Sequence, residues 1–305
     1  MRDSLAPRWL LAALLFITLL VQAGPALTAI RVIDRQGQIL TLDRPARRIV
    51  SLAPHITESL FAVGAGSAII ATVSHSDYPE AALAIPRVGS YDRINRESLV
   101  AMKPDLVIAW ESGNGADLID HLRALGLAVF VTEPRRLEDI AANLEAFAAL
   151  AGRDAEGAAA ARAFRARLER LRAAHRDSAP VTVFYQVWNQ PLLTLNDGHL
   201  IADVIRLCGG TNIFGDAAPL VPVVNTETVL RADPEVVIAS GMGEERPDWV
   251  DEWRRWPSLR AARNGHLYFI PPSLLQRHAP RILDGAESLC RLLEQARHQR
   301  DGGPS

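Results

Sequence analysis

Apolar residues fall along this chain in short runs divided by polar turns, and the spacing within the runs predicts the elements. Arg31-Val32-Ile33-Asp34 and Gln38-Ile39-Leu40-Thr41-Leu42 flank Gln36-Gly37 and predict a hairpin. Arg48 to Leu52 predicts a strand, and Thr57 to Val63 a short helix ending near Gly64. Apolar runs continue at Ala68 to Val73, Ser98 to Met102 and Leu106 to Trp110, followed by a helical pattern over Leu118 to Leu125 and a strand over Ala128 to Val131. Buried strands alternating with helices across short loops predict a parallel α/β sheet. From Leu137 to Arg176 the chain turns to Ala, Leu, Arg and Glu, all strong helix formers. Asp154 is the expected N-cap after Gly152, and Ala161, Phe164, Leu168 and Leu171 form one apolar stripe. Such a helix, about 22 residues, would run about 33 Å. Val181 to Val187 then opens a second βα series, which closes in a helix around Arg281 to Gln299.

One phrase occurs twice. NRESLVAMKPDLVIAW begins at Asn95 and NTETVLRADPEVVIAS at Asn225; six of the first fifteen positions are identical. Each copy reads as a helix and a buried strand, with Asn95 or Asn225 as N-cap and Pro104 or Pro234 closing the helix. The copies stand on either side of the long helix. The economical architecture is two similar α/β lobes, residues 30–152 and 179–299, joined by a rigid helix over 153–178, with a disordered tail at 300–305. Ligands of open α/β sheets sit beyond the carboxyl ends of the strands. The loops expected there are Ala53 to Thr57, Ser74 to Pro79, Trp110 to Gly115, Trp188 to Pro191 and Pro271 to Arg281.

The N-terminus does not follow this pattern. Arg2 and Arg8 precede an apolar run from Trp9 to Val21, and small residues follow through Ala23. This predicts a signal peptide over residues 1–23, with cleavage as late as Ala29, and an exported protein of periplasmic location. The run is short of the roughly 20 residues a membrane span needs, and no Cys follows either site to carry a lipid. Formal net charge is −2, with no basic stripe and no zinc-type Cys spacing, so nothing points to nucleic acid. Export makes a bridge between Cys208 and Cys290 chemically available; two separate buried thiols is the other reading. No Gly-x-Ser-x-Gly, His-Glu-x-x-His or full Gly-x-Gly-x-x-Gly is present, and the chain is not expected to be an enzyme.

Taken together, RIVSLAPHITESLFAVGAG, SHSDYPEAA, NRESLVAMKPDLVIAW followed by Gly113-Asn114, LCGGTNIF and HAPRILDGAESLC resemble the helix-braced solute-binding proteins of ABC importers for cobalamin, haem and iron-siderophores. The resemblance covers about residues 46 to 296 and is strongest to the cobalamin-binding branch; the hairpin before Arg48 looks more like siderophore-binding members. It implies two Rossmann-like lobes joined by a long rigid helix, the class III periplasmic binding protein fold. It also implies a disulfide between Cys208 and Cys290, no cofactor, and a monomer that hands its ligand to an importer permease and its ATPase.

Carried over position by position, the resemblance puts N-lobe ligand contacts at His75, Tyr91 and Trp110, with His75 in place of a tyrosine and Tyr91 of a tryptophan. In the C-lobe, Leu193 stands for a phenylalanine, Val221 for a tryptophan and Ser273 for an acidic residue, while Arg277 is kept. Trp188, absent from the pattern, is placed to refill the lost aromatic area. The implied ligand is a corrinoid, with haem or a ferric siderophore as alternative and a periplasmic metal-dependent enzyme on the same scaffold as a further one. No metal held by the protein alone is expected. His75 is either a ligand to the metal of a bound chelate or a hydrogen-bonding rim residue. His55, His75 and His278 together would permit a direct zinc or manganese site, although no His-x-His or His-x₃-His spacing supports it. Glu97 and Glu227 match the two glutamates that dock on permease arginines; each would equally favour its own helix N-terminus.

Overall fold

The computed structural model describes residues 29–241 and 243–302. The expected signal peptide at residues 1–23 lies outside them. The chain opens with the antiparallel hairpin β1 (Ile30–Ile33) and β2 (Ile39–Leu42), paired from Ile30↔Leu42 to Ile33↔Ile39. Then come β3 (Ile49–Ser51), α1 (Pro54–Ala62), β4 (Ile69–Ala71), the short pair β5 (Gly89–Ser90) and β6 (Arg93–Ile94), α2 (Arg96–Ala101), β7 (Leu106–Trp110), α3 (Ala116–Ala124) and β8 (Val129–Thr132). Strands β4-β3-β7-β8 make one fully parallel sheet. They read as continuous apolar runs because both faces are covered.

Two helices follow: α4 (Leu137–Ala151) and the long α5 (Asp154–His175), 22 residues. The turn between them is made by Gly152, whose left-handed φ of 67° ends α4 in the geometry glycine tolerates best. Asp154 is not the N-cap expected of it. Arg153 holds that place, and Asp154 is the first helical residue, where its charge still suits the helix dipole. The two helices touch closely at Gly157, where an added Cβ would meet Ala148 Cβ at 2.1 Å. The expected stripe faces inward, with Ala161, Phe164 and Leu168 buried and Leu171 half-buried.

The second lobe repeats the plan: β9 (Val181–Gln186), α6 (Leu200–Leu207), β10 (Gly210–Asn212), α7 (Thr226–Ala232), β11 (Val236–Ala239), β12 (Leu267–Phe269) and α8 (Ile282–Gly302). Its sheet runs β10-β9-β11-β12, again fully parallel. The last helix extends through 300–302, where a disordered tail was expected, and 303–305 lie outside the described residues. Cys208 and Cys290 form a disulfide that ties the end of α6 to α8.

The duplicated phrase becomes duplicated structure. Asn95 Oδ1 accepts from Ser98 N at 2.9 Å and Asn225 Oδ1 from Thr228 N at 2.8 Å, so both helices carry the expected cap. The acidic residue after each proline anchors the neighbouring strand. Asp105 accepts from the backbone N–H of Arg47 and Arg48, at 2.9 and 2.8 Å, and Glu235 from that of Thr182 at 2.9 Å.

One hydrophobic core crosses between the lobes. Ile49, Ile56, Leu60 and Leu144 of the first belong to the same buried cluster as Phe164 of the brace and Val183, Ile205 and Leu289 of the second. Ion pairs fasten the brace on both sides: Arg165 to Glu145 of α4, and Arg167 to Asp284 and Glu287 of α8.

Candidate functional site

In each sheet the chain order reverses between the two central strands, β3 and β7 in one lobe and β9 and β11 in the other. Such a switch point opens a crevice at the carboxyl ends, because the loops leaving the two strands diverge to opposite faces. The first turn of α1, just after β3, brings His55 there, and β7 ends on Trp110. Their rings meet edge to face, with centroids 5.2 Å apart.

Trp110 is placed by the residues just after it. Its indole lies on Gly113, where an added Cβ would sit 2.0 Å from Cε3. Asn114 is buried and uses all of its amide: Oδ1 accepts from Trp110 N at 2.6 Å, and Nδ2 donates to Leu52 O at 3.0 Å and Tyr91 O at 2.7 Å. Asn114 therefore links the ends of β3 and β7 to the loop bearing Tyr91. Tyr91 and Trp110 stand side by side as an angled aromatic wall, centroids 5.8 Å apart and ring planes tilted by 48°.

His75 lies on an adjacent loop with a left-handed φ of 63°, strained for a side chain of this size. Its neighbours hold it there. Ser76 is buried and accepts from Thr72 Oγ1 at 2.8 Å, Thr72 bonds Thr57 at 2.6 Å, and Arg87 Nη2 donates to Ser76 O at 2.8 Å. Ser74 N donates to Gly89 O at 2.8 Å. The imidazole itself is exposed.

On the C-lobe side, Trp188 and Leu193 pair in an antiparallel bridge and Leu193 pairs again with Val223. Trp188 Nε1 donates back to Gln190 O at 3.0 Å. Val221 is 40% exposed at the edge of this group. Among the described residues no ring contact joins Trp188 to Tyr91 or Trp110, so the aromatic residues form two separate groups. Ser273 Oγ donates to Glu244 Oε2 at 2.7 Å, so Glu244 supplies a carboxylate where the resemblance implies an acidic side chain. Glu244 sits in the loop after β11, and no local pattern marked it.

The lobes meet along a seam. His278 of the C-lobe packs on Trp110 (5.8 Å between centroids) and on His55 (5.5 Å), with His199 behind it at 5.6 Å. His75 is not part of this group, which removes the idea of His55, His75 and His278 as one metal site. No three His, Cys, Asp or Glu among the described residues make a metal-holding set. Arg277 forms a bidentate pair with Asp77 of the N-lobe, and Arg281 another with Glu58. Sequence reading assigned Arg277 to ligand and did not foresee either partner.

Burial lowers the pKa of His55 to about 3 and, with a contribution from Arg135, that of His199 to about 4. Burial first, then the proximity of His55 and His199, puts His278 well below the ordinary range. The unfolded chain binds these protons near pH 6.5, whereas the native protein refuses them. Stability is therefore whole above pH 6.5 and falls as pH drops from 6.5 through the native values. Each histidine adds a slope of up to about 1.4 kcal/mol per pH unit. Urea unfolding at pH 7 and pH 5 checks this: His55→Leu should flatten the difference, and an unchanged slope would count against the buried-histidine account.

Glu97 and Glu227 are exposed in the first turns of α2 and α7, and their side chains form no hydrogen bond or ion pair with another described residue.

The family model described as periplasmic binding protein matches residues 49–274. The vitamin B12-binding protein of Vibrio cholerae serotype O1 is 38% identical over 256 residues, 84% of this chain and 92% of that protein. The one from Yersinia pestis is 35% identical over 253 residues, 83% and 88%. The solved periplasmic vitamin B12 binding protein BtuF of Vibrio cholerae superposes with a TM-score of 0.78 at 37% identity, covering 84% of this chain and 99% of that one. The periplasmic heme-binding protein RhuT from Roseiflexus sp. RS-1 shares the fold at TM-score 0.72 and 24% identity, over 82% and 99%. By the span of the family match and the identity to these relatives, the chain belongs to the periplasmic binding protein family, a family of substrate-binding proteins rather than enzymes.

Proposed function

We propose that this protein captures a corrinoid between its lobes in the periplasm, after export by its N-terminal segment, and delivers it to the permease and ATPase of an ABC importer. The observation that carries this reading is the wall of Tyr91 and Trp110, fixed at the N-lobe switch point by Gly113 and Asn114. A flat macrocycle buries a large apolar face against such a wall. The names of the relatives support the ligand class. His75, Trp188, Leu193, Val221, Ser273 and Arg277 complete the contact set in this proposal, and Glu244 joins them.

Titration with cyanocobalamin, followed by calorimetry and by visible absorbance, tests the assignment; no heat and no saturation with any corrinoid would sink it. Haem or a ferric chelate is the second reading, favoured by the exposed imidazole of His75, and haemin titration separates the two. Gly113→Ala should push the indole of Trp110 out of line. Corrinoid affinity is then expected to fall about tenfold, ~1.4 kcal/mol, with a shifted tryptophan emission and little change in unfolding midpoint.

Glu97 and Glu227 are the docking charges in this proposal, one per lobe for a two-fold permease. The double substitution Glu97→Ala/Glu227→Ala should leave ligand affinity within about twofold while uptake falls at least about tenfold. Unchanged uptake would remove the docking role.

A further inference from the structure

The loop from Pro271 to Arg281 carries two arginines toward the N-lobe, and both are already committed. Arg281 holds Glu58 at 2.9 and 2.8 Å and lies 3.6 Å from the centroid of the Tyr78 ring. Arg277 donates to both oxygens of Asp77, at 2.5 and 3.0 Å. Side-chain exposure is 14% for Arg277 and 49% for Asp77, so solvent reaches the pair from the Asp77 side. Asp77 is two residues from His75, on the loop that borders the cleft. Burial pushes the Asp77 carboxyl up, but the hydrogen bond and charge of Arg277 outweigh it and hold the group below its ordinary value.

We propose that Asp77 determines specificity: by saturating Arg277 it makes the cleft select macrocycles with uncharged amide side chains over those with carboxylates. The inference rests on the cleft being the ligand site argued above. A ligand carboxylate could reach the Arg277 fork only by displacing Asp77, which would then stand unpaired beside a like charge. An amide meets a neutral pair, and the exposed Asp77 oxygens keep lone pairs that accept its N–H. Discrimination by an unpaired charge set against the wrong ligand is a general device of specific sites, and the displaced Asp77 carboxylate would face the incoming one as a like charge.

The test compares two corrins that differ in peripheral charge: dicyanocobinamide, which bears amides, and dicyanocobyrinic acid, which bears carboxylates. The wild-type protein is expected to bind the amide form at least about 30-fold more tightly, ~2 kcal/mol. Asp77→Asn should shrink that ratio about tenfold, chiefly by improving the acid. The double variant Asp77→Asn/Arg277→Gln should lose the gain, since the freed guanidinium is what the acid would use. An unchanged ratio in Asp77→Asn whose unfolding midpoint is unaltered overturns the proposal, as does a gain that survives removal of Arg277. Should Asp77→Asn fail to fold, Asp77→Ser carries the same comparison. Wild-type protein that binds neither corrin overturns the ligand assignment and this inference with it, whereas amide binding without the Asp77→Asn effect overturns this inference alone.

Discussion

Replacing Cys208 and Cys290 together by alanine is expected to lower stability by about 4 kcal/mol and the thermal midpoint by about 10 °C. The bridge joins residues 82 apart in sequence. That loop contains β10, α7, β11 and β12, three of the four strands of the C-lobe sheet. Cross-linking so long a loop removes many conformations from the unfolded chain, which is where the stabilisation arises in the chain-entropy account. Both sulfurs are buried, so alanine also loses a little packing. Calorimetry on oxidised wild type, reduced wild type and the double variant checks the figure. A drop of less than about 1 kcal/mol in both reduced and substituted protein would show that the C-lobe is constrained by other means.

Arg281→Ala is expected to cost about 3–5 kcal/mol, the usual consequence of leaving one member of a buried pair alone. Glu58 has a side chain only 3% exposed, and Arg281 bonds both its oxygens. The substitution also removes the guanidinium from the Tyr78 ring. Adding Glu58→Gln should recover much of the loss, because no charge is then left stranded in the seam. A double-mutant cycle by urea unfolding measures the coupling. A coupling near zero would mean that the pair contributes nothing to holding the lobes together.

How far the sequence foretold this structure depends on the distance over which each feature is encoded. The hairpin, the buried strands and the stripe of α5 follow from periodicity within a few residues, and the structure places them within two or three positions of expectation. Helix α1 begins at Pro54 rather than Thr57, because proline suits a first turn and the preceding apolar run masks the boundary. The caps at Asn95 and Asn225 were legible because the phrase occurs twice. Asp154 was misread as a cap because Arg153 also leaves the helix, with φ −126° and ψ 38°.

The seam was not legible. Asp77 and Arg277 are 200 residues apart, Glu58 and Arg281 223 apart, and no local pattern couples them. The same holds for His199 against His278 and for Glu244 under Ser273. The resemblance named Arg277 and Trp110 as ligand positions, yet it carried no sign that Gly113 and Asn114 orient the indole. Gly113 stands in a motif, but its role lies in a contact with a ring three residues earlier.

The core shared by both lobes has a mechanical consequence. Behind the cleft the molecule is continuous, with Gly157 set hard against Ala148 and no slack between α4 and α5. In front, the halves touch through Trp110, histidine rings and two ionic clasps. The protein is built like a clothes peg with a solid spring and jaws held by a few side chains. Parting them exchanges ion pairs for hydrated ions and uncovers the packed rings of His55, Trp110 and His278. Of the two clasps, Asp77 with Arg277 is the one that dissolved ions can reach. Salt therefore screens that clasp, while the buried pair of Glu58 with Arg281 is screened far less.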